Sequence, residues 1–158
     1  MIDPLPATLI EAHHQVIRAV TPDVENWLAV FPAVDAAWQP SDVLPDFAGK
    51  DWPEQLASLR EQARAIPDDL LVVLVGDMVT EEALPSYSMA LNQVARDWEG
   101  TSSDGWARWL RGWTAEENRH GDLLNGFLRL SGRVDMRAVE RTVQTLLANG
   151  FKIGRAHV

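Results

Sequence analysis

Cysteine is absent from the 158 residues. That excludes disulfides, thiolate metal sites and a cysteine nucleophile. No apolar run approaches the roughly 20 residues that a bilayer requires of a spanning helix. Met1 leads into Ile2-Asp3-Pro4 with neither a basic segment nor an apolar core behind it. No signal peptide is visible, and the expectation is a cytosolic protein. Basic charge is scarce: 14 Lys and Arg face 23 Asp and Glu, for a net charge of -9. Such a chain lacks the basic footprint of a general nucleic-acid binder and favours solubility and attraction to basic partners. Internal repeats and low-complexity segments are missing as well. What remains is a chain long enough for one domain with a sizeable core. It carries seven tryptophans, four of which (Trp98, Trp106, Trp109, Trp113) fall close together.

Apolar residues recur at helical spacing along most of the chain. Leu5 to Val20 reads as a helix with Leu9/Ile10, His13, Val16/Ile17 and Val20 on one face. Thr21-Pro22-Asp23 predicts a second short helix to about Phe31, with Thr21 as N-cap. Residues 32–53 break the period and read as an extended loop pinned by Trp38 and Leu44. Pro53 opens a helix through about Ala65, with Leu56 and Leu59 inward and Arg60 and Arg64 outward. Pro67-Asp68-Asp69 is a strong start signal. The run Leu70–Val75 is apolar all round and could be a buried strand, but the pattern continues to about Trp98 and predicts one long helix in the middle of a bundle. Pro85 removes the helical partner of the Glu81 carbonyl, so a bend is expected there. Residues 100–105 form a loop. The next helix stops at Ser131-Gly132, and Asp135 caps a last one that turns Met136, Val139, Val143 and Leu146/Leu147 inward and ends at Asn149-Gly150.

The helix after residue 103 carries the chemistry. One face reads Trp106, Trp109/Leu110, Trp113, Glu117, His120, Leu123/Leu124 and Phe127. It is apolar except for a carboxylate and an imidazole three residues apart, which are neighbours on a helix surface. A carboxylate on such a stripe is costly unless compensated. A bound cation compensates it, and Glu-x-x-His is the spacing of di-iron carboxylate bundles. The plain alternative is a Glu satisfied by an arginine, with His120 a core histidine bonded to backbone. Glu81 is a second carboxylate on an inward stripe, with Leu74, Met78, Pro85 and Ser88. Glu11-x-x-His14 shares the spacing, but with Arg18 it lies on the polar face and is expected to point to solvent.

Longer stretches carry a resemblance. They are Trp38-Gln39-Pro40 with Leu44-Pro45-Asp46, Ile66-Pro67-Asp68-Asp69, the run 72–78, Thr80-Glu81-Glu82-Ala83-Leu84-Pro85, the run 113–125 and the run 130–136. In that order they resemble the soluble acyl–acyl carrier protein desaturases, over about residues 24–151. The resemblance implies an all-α, ferritin-like helical bundle, usually a homodimer, with two irons between four core helices. Glu81 and His120 would hold one iron and Glu117 would bridge both. Electrons from ferredoxin and O₂ would drive removal of two hydrogens from a saturated chain on acyl carrier protein, in fatty acid biosynthesis. Trp38 matches a tryptophan on the family's proposed electron route; Ala90 and Val94 would line the acyl tunnel. Each has a simpler role too, as loop pin and as core packing. A carrier protein is acidic and calls for a local basic patch, for which Arg60 and Arg64 are candidates.

The family's third core helix, with one Glu, and its fourth, with a second Glu-x-x-His, find no match here. The expectation is therefore the amino-terminal part of a desaturase domain, residues 1–152, about half of the di-iron core. Ile153-Gly154-Arg155-Ala156-His157-Val158 looks like one translated frame of a common sequencing adapter. It is expected to be a disordered, non-native tail in which His157 is no ligand. Two other functions stay open: a non-catalytic helical module for binding or dimerisation, and another ferritin-like di-iron oxidase or iron store. The expected compartment is the cytoplasm for a bacterial source and the plastid for a plant one.

Overall fold

A computed structural model describes residues 7–150; the tail at 153–158 lies outside the described residues. The described chain is all α-helical apart from short 3-10 turns. In order, α1 is Ala7–Val20, α2 Val24–Leu28, α3 Trp52–Arg64, α4 Asp68–Glu82, α5 Leu84–Ala95, α6 Gly105–Ser131 and α7 Met136–Asn149. α6 is the axis on which α2, α3, α4 and α5 all pack. Its ends match the sequence signals. Asp104 accepts from the backbone N–H groups of Trp106 and Ala107, and Gly132 closes the helix in the left-handed region at φ 68°. Asp135 caps α7 by accepting from Ala138 N–H.

Two apolar clusters flank the middle of α6. Toward its start, Ala107 and Leu110 pack with Ala95 of α5, bordered by Leu91 and by Trp106, Trp109 and Trp113. The indoles form a row: Trp27 meets Trp106 edge-on, Trp106 meets Trp109 edge-on, and Trp109 stacks on Trp113 with centroids 6.1 Å apart. Toward its end, Leu128 packs with Leu71 and Met78 of α4 and with Val139 and Val143 of α7. Close approach to α6 requires small residues. A Cβ at Gly112 would lie 3.1 Å from the Phe31 ring, and one at Gly126 would lie 2.6 Å from Leu44 Cδ1. Leu44 therefore pins the 32–51 loop as expected, seated where Gly126 leaves room.

Several local expectations differ from the structure. The long helix over 67–98 is two helices with a break at Ala83, because Pro85 cannot donate to the Glu81 carbonyl and instead starts α5. α5 stops at Ala95 rather than Trp98. Arg96 is left-handed at φ 51°, and the Asn92 side chain both donates to the Asp97 carbonyl and accepts from the Asp97 N–H. Thr21 does not cap α2: its hydroxyl donates to the Ile17 carbonyl at 2.7 Å and accepts from Trp106 Nε1 at 3.0 Å, tying α1 to α6. α4 is not wrapped on all sides, for Leu70, Val72 and Val73 are exposed. Arg133 donates to the Ala63 and Ile66 carbonyls and to Asp68, so one guanidinium closes the end of α3 and the start of α4.

Asp97 organises the turn between α5 and α6. It accepts from Ser102 N–H at 3.0 Å and pairs with Arg111, which also donates to the Ser102 carbonyl. Its side chain is 6% exposed. The Ser102 hydrogen bond, seconded by Arg111, holds its carboxyl below the ordinary aspartate value of 3.8. A depressed folded-state pKa contributes stability that is present above the unfolded value and lost as pH falls through the folded one. Asp97→Asn is expected to lower the denaturation midpoint at pH 7. The gap to wild type should close as pH is brought below about 3.8, read by urea unfolding at stepped pH. A gap that does not depend on pH would show that the charge of Asp97 is immaterial.

Candidate metal centre

Between the two clusters, the inward stripe of α6 turns polar at Glu117 and His120. The last turn of α4 brings Glu81 to the same level, just before the break at Ala83. Gly121 sets the spacing of the two helices: a Cβ there would sit 3.4 Å from Glu81 Cβ, so alanine fits and anything longer meets Glu81. One ligand atom each from Glu81, Glu117 and His120 lies within 4.8 Å of the others, and all three residues are half-buried. His120 Nδ1 is 2.9 Å from Glu117 Oε2.

Burial raises the Glu81 carboxyl above its ordinary value of 4.5, and the facing Glu117 carboxylate raises it further. Burial and the Glu81 charge also push the Tyr87 phenol up. Like charges sharing one half-buried spot are costly until a cation stands between them. Two carboxylates and an imidazole form a donor set suited to a divalent first-row metal, iron included. The residues present thus fit a metal ion, on the mutual repulsion of the carboxylates as well as on their spacing.

A polar ring surrounds His120. Trp38 reaches in from the 32–51 loop, its indole stacked on the His120 ring with centroids 5.7 Å apart and planes 15° apart. Trp38 Nε1 donates to Glu116 Oε1 at 3.2 Å. The same oxygen lies 3.8 Å from His120 Nε2. Arg119 pairs with Glu116 Oε2, and its guanidinium carbon stands 5.5 Å above the Trp38 ring. Sequence reasoning missed Glu116 and Arg119. Their signal was the spacing of Glu116, Arg119 and His120 at i, i+3 and i+4, but the residue that unites them, Trp38, lies 78 positions away from Glu116.

A cleft of about 320 Å³ opens beside Glu81, lined among others by Glu82, Ser88, Thr114, Asn118 and Asp122. Ala90 and Val94 lie on α5, Ala90 exposed and Val94 half-buried; neither lines this cleft. Arg60 and Arg64 are exposed on α3, Arg60 donating to the Leu130 carbonyl and Arg64 paired with Glu61. Glu11 and His14 face solvent as expected, and a hydrogen bond from Arg18 at 2.7 Å lowers the Glu11 carboxyl. No described helix is long and apolar enough to cross a membrane.

Comparison with known proteins bears on this geometry. A profile of the fatty acid desaturase family matches residues 12–158. The chloroplastic stearoyl-[acyl-carrier-protein] 9-desaturase of Spinacia oleracea is 56% identical over 129 residues, covering 80% of this chain and 32% of that protein. The corresponding enzyme of Ricinus communis is 51% identical over 155 residues, covering 89% of this chain and 39% of its own length. A chloroplastic acyl-[acyl-carrier-protein] desaturase of Cucumis sativus is 50% identical over 155 residues, with the same shares. The chain spans between about a third and two-fifths of the length of these relatives. The profile runs over nearly all of the sequence, and the chain belongs to the fatty acid desaturase family.

Proposed function

We propose that this chain forms the amino-terminal part of a di-iron desaturase acting on a saturated acyl chain carried by acyl carrier protein. The observation that carries the reading is the convergence of Glu81, Glu117 and His120 within 4.8 Å, in a chain about half identical in sequence to stearoyl-[acyl-carrier-protein] 9-desaturases. In this reading Glu81, Glu117 and His120 would be the residues of this chain that hold iron. When bound, iron would supply the O₂- and electron-dependent chemistry that cleavage of unactivated C–H bonds requires and that no side chain provides, with ferredoxin as the electron source. The protein's share is positioning. Trp38 stacks on the His120 ring, and Gly121 lets α4 approach α6. Among the described residues no second cluster of three ligating side chains appears, so the second iron's own ligands would come from further helices. The full enzyme would be a homodimer, in the plastid for a plant source and in the cytoplasm for a bacterial one.

The test is to recover the source gene downstream of the codon for Val158 and express the whole product. The reading predicts a second Glu-x-x-His in it, and an unsaturated product from stearoyl carrier protein with reduced ferredoxin and O₂, abolished in Glu81→Gln and His120→Ala. A natural stop codon directly after Val158, or a complete product that leaves the acyl chain saturated, contradicts it.

A further inference from the structure

Four indoles run along the first half of α6 without a gap. Trp27 meets Trp106 with centroids 5.9 Å apart and planes at 72°, and Trp106 meets Trp109 at 6.0 Å and 76°. Trp109 stacks on Trp113 at 6.1 Å and 9°. The inner end of this row adjoins the candidate metal centre. Trp113 lies four residues before Glu117 on α6, a spacing that makes two residues neighbours on the helix surface. The outer end reaches water: Trp27 is 37% exposed, while Trp106, Trp109 and Trp113 are half-buried. Packing asks only for apolar bulk at these positions, which leucine or phenylalanine supplies. What the indoles add is redox character. In a chain without cysteine, indole and phenol are the side chains that give up an electron most readily.

We propose that Trp113, Trp109, Trp106 and Trp27 form a route that carries a one-electron vacancy from the level of Glu117 and His120 to the surface. Each hop moves one electron from an outer indole to the next inner one, and no bond forms or breaks. A one-electron oxidant at the inner end takes an electron from Trp113, which is refilled in turn from Trp109, Trp106 and Trp27. A reductant in solution, such as ascorbate, then refills Trp27. Two effects favour this direction. A positive charge costs less free energy where water reaches it, at Trp27, and a cation held by Glu81, Glu117 and His120 would repel it from Trp113. Proton positions agree. Trp106 Nε1 donates to Thr21 Oγ1 at 3.0 Å, and that hydroxyl itself donates to the Ile17 carbonyl. A neutral hydroxyl is too weak a base to take the indole proton, so deprotonation is left to the exposed end. For a metal centre the route would draw stray oxidation away from the ligands. That consequence rests on the reading of Glu81, Glu117 and His120 as metal ligands; the route itself does not.

The test uses the metal-free 158-residue chain. With no native cysteine, a single Asn118→Cys, exposed on α6 beside Glu117, takes one ruthenium polypyridyl photosensitiser. Light and a cobalt(III) pentaammine, which accepts one electron irreversibly, leave the sensitiser as a one-electron oxidant. The trap is 2-methyl-2-nitrosopropane: the deprotonated indolyl radical forms a C–N bond to its nitroso nitrogen, and peptide mass spectrometry maps the adduct. Adducts at Trp27 are expected in the labelled parent and should be lost in Trp106→Phe and in Trp109→Phe, each of which removes one link and keeps a ring. Trp109→Phe leaves the hydrogen bond between Trp106 and Thr21 in place, so it decides the outcome if Trp106→Phe loosens α1. Trp52, 38% exposed and outside the row, is the internal control, and its adducts should respond to neither substitution. Trp27 adducts that persist at the parental level in Trp109→Phe would show that the vacancy arrives without the row. A parent with no adduct at Trp27 would show that the row does not conduct. Either result overturns the proposal. Zinc titration of the unlabelled chain tests the metal-ligand reading separately, so the failure of one is distinguishable from the failure of the other.

Discussion

Replacing His120 with alanine is expected to abolish divalent metal binding by this chain, and Glu81→Gln to do the same while making the metal-free protein more stable. The loss should exceed the ~10–100-fold typical of an outer partner, because a ligand itself is removed. The gain has the opposite sign for a reason visible in the site. Burial and the Glu117 charge raise the Glu81 pKa in the folded state. A carboxyl whose folded pKa lies above its unfolded value binds more protons folded than unfolded. Its contribution therefore turns unfavourable as pH rises from the ordinary value of 4.5 through the raised one. Glutamine removes the charge and with it that penalty, so the urea midpoint of the metal-free chain at pH 7 should rise. Zinc titration and unfolding on the same samples give both numbers. Glu11→Gln and His14→Ala serve as controls and should leave zinc binding unchanged, since both residues face solvent. A Glu81→Gln variant that binds zinc normally and loses stability would make Glu81 an ordinary structural carboxylate.

The isolated chain should self-associate through α4, and Val72→Glu with Val73→Glu should reverse it. Val72 is 72% exposed, Val73 54% and Leu70 46%, so three apolar side chains of the first turns of α4 face solvent among the described residues. Exposed apolar surface drives association. Full burial of such a side chain is worth roughly 1.5–3 kcal/mol, so replacing two by carboxylates should weaken self-association at least tenfold. Sedimentation at tens of micromolar should show the chain as dimers or larger species and the double variant as a monomer. A wild-type chain that stays monomeric across that range would show that these side chains are inert.

The sequence made the site legible where the signal was local and periodic. Glu117 and His120 interrupt an apolar stripe at one spacing, and Glu81 sits on a second stripe four residues before a proline. Hydrophobic period and proline chemistry suffice to bring such residues to one level of a bundle. Trp38 and Leu44 stood out as apolar anchors in a loop without periodicity, and both are seated on α6. What stayed hidden depended on partners remote in sequence. Glu116 drew no reading from the sequence, because its partner Trp38 lies 78 residues away. Thr21 looked like an N-cap, because the indole N–H of Trp106 that occupies its hydroxyl lies 85 residues on. Arg133 gives no sign in sequence that it closes α3 and α4. The break at Ala83 was foreseen as a bend, but local propensity could not show that α5 would end three residues early, since the Asn92–Asp97 pairing sits in a turn without apolar pattern. The all-round apolar character of α4 was read as burial, whereas among the described residues one side of it faces solvent.

The most direct test of the central claim is the iron content of the soluble 158-residue chain, purified without oxygen after loading with ferrous ion, with product analysis on stearoyl carrier protein and reduced ferredoxin. The three converging ligands form one site and no second cluster among the described residues. The account therefore predicts about one iron per chain, lost in His120→Ala, and no unsaturated product, because O₂ activation of this kind needs two metals held from both sides of the bundle. Two irons per chain, iron retained in His120→Ala, or a reproducible unsaturated acyl product would contradict it.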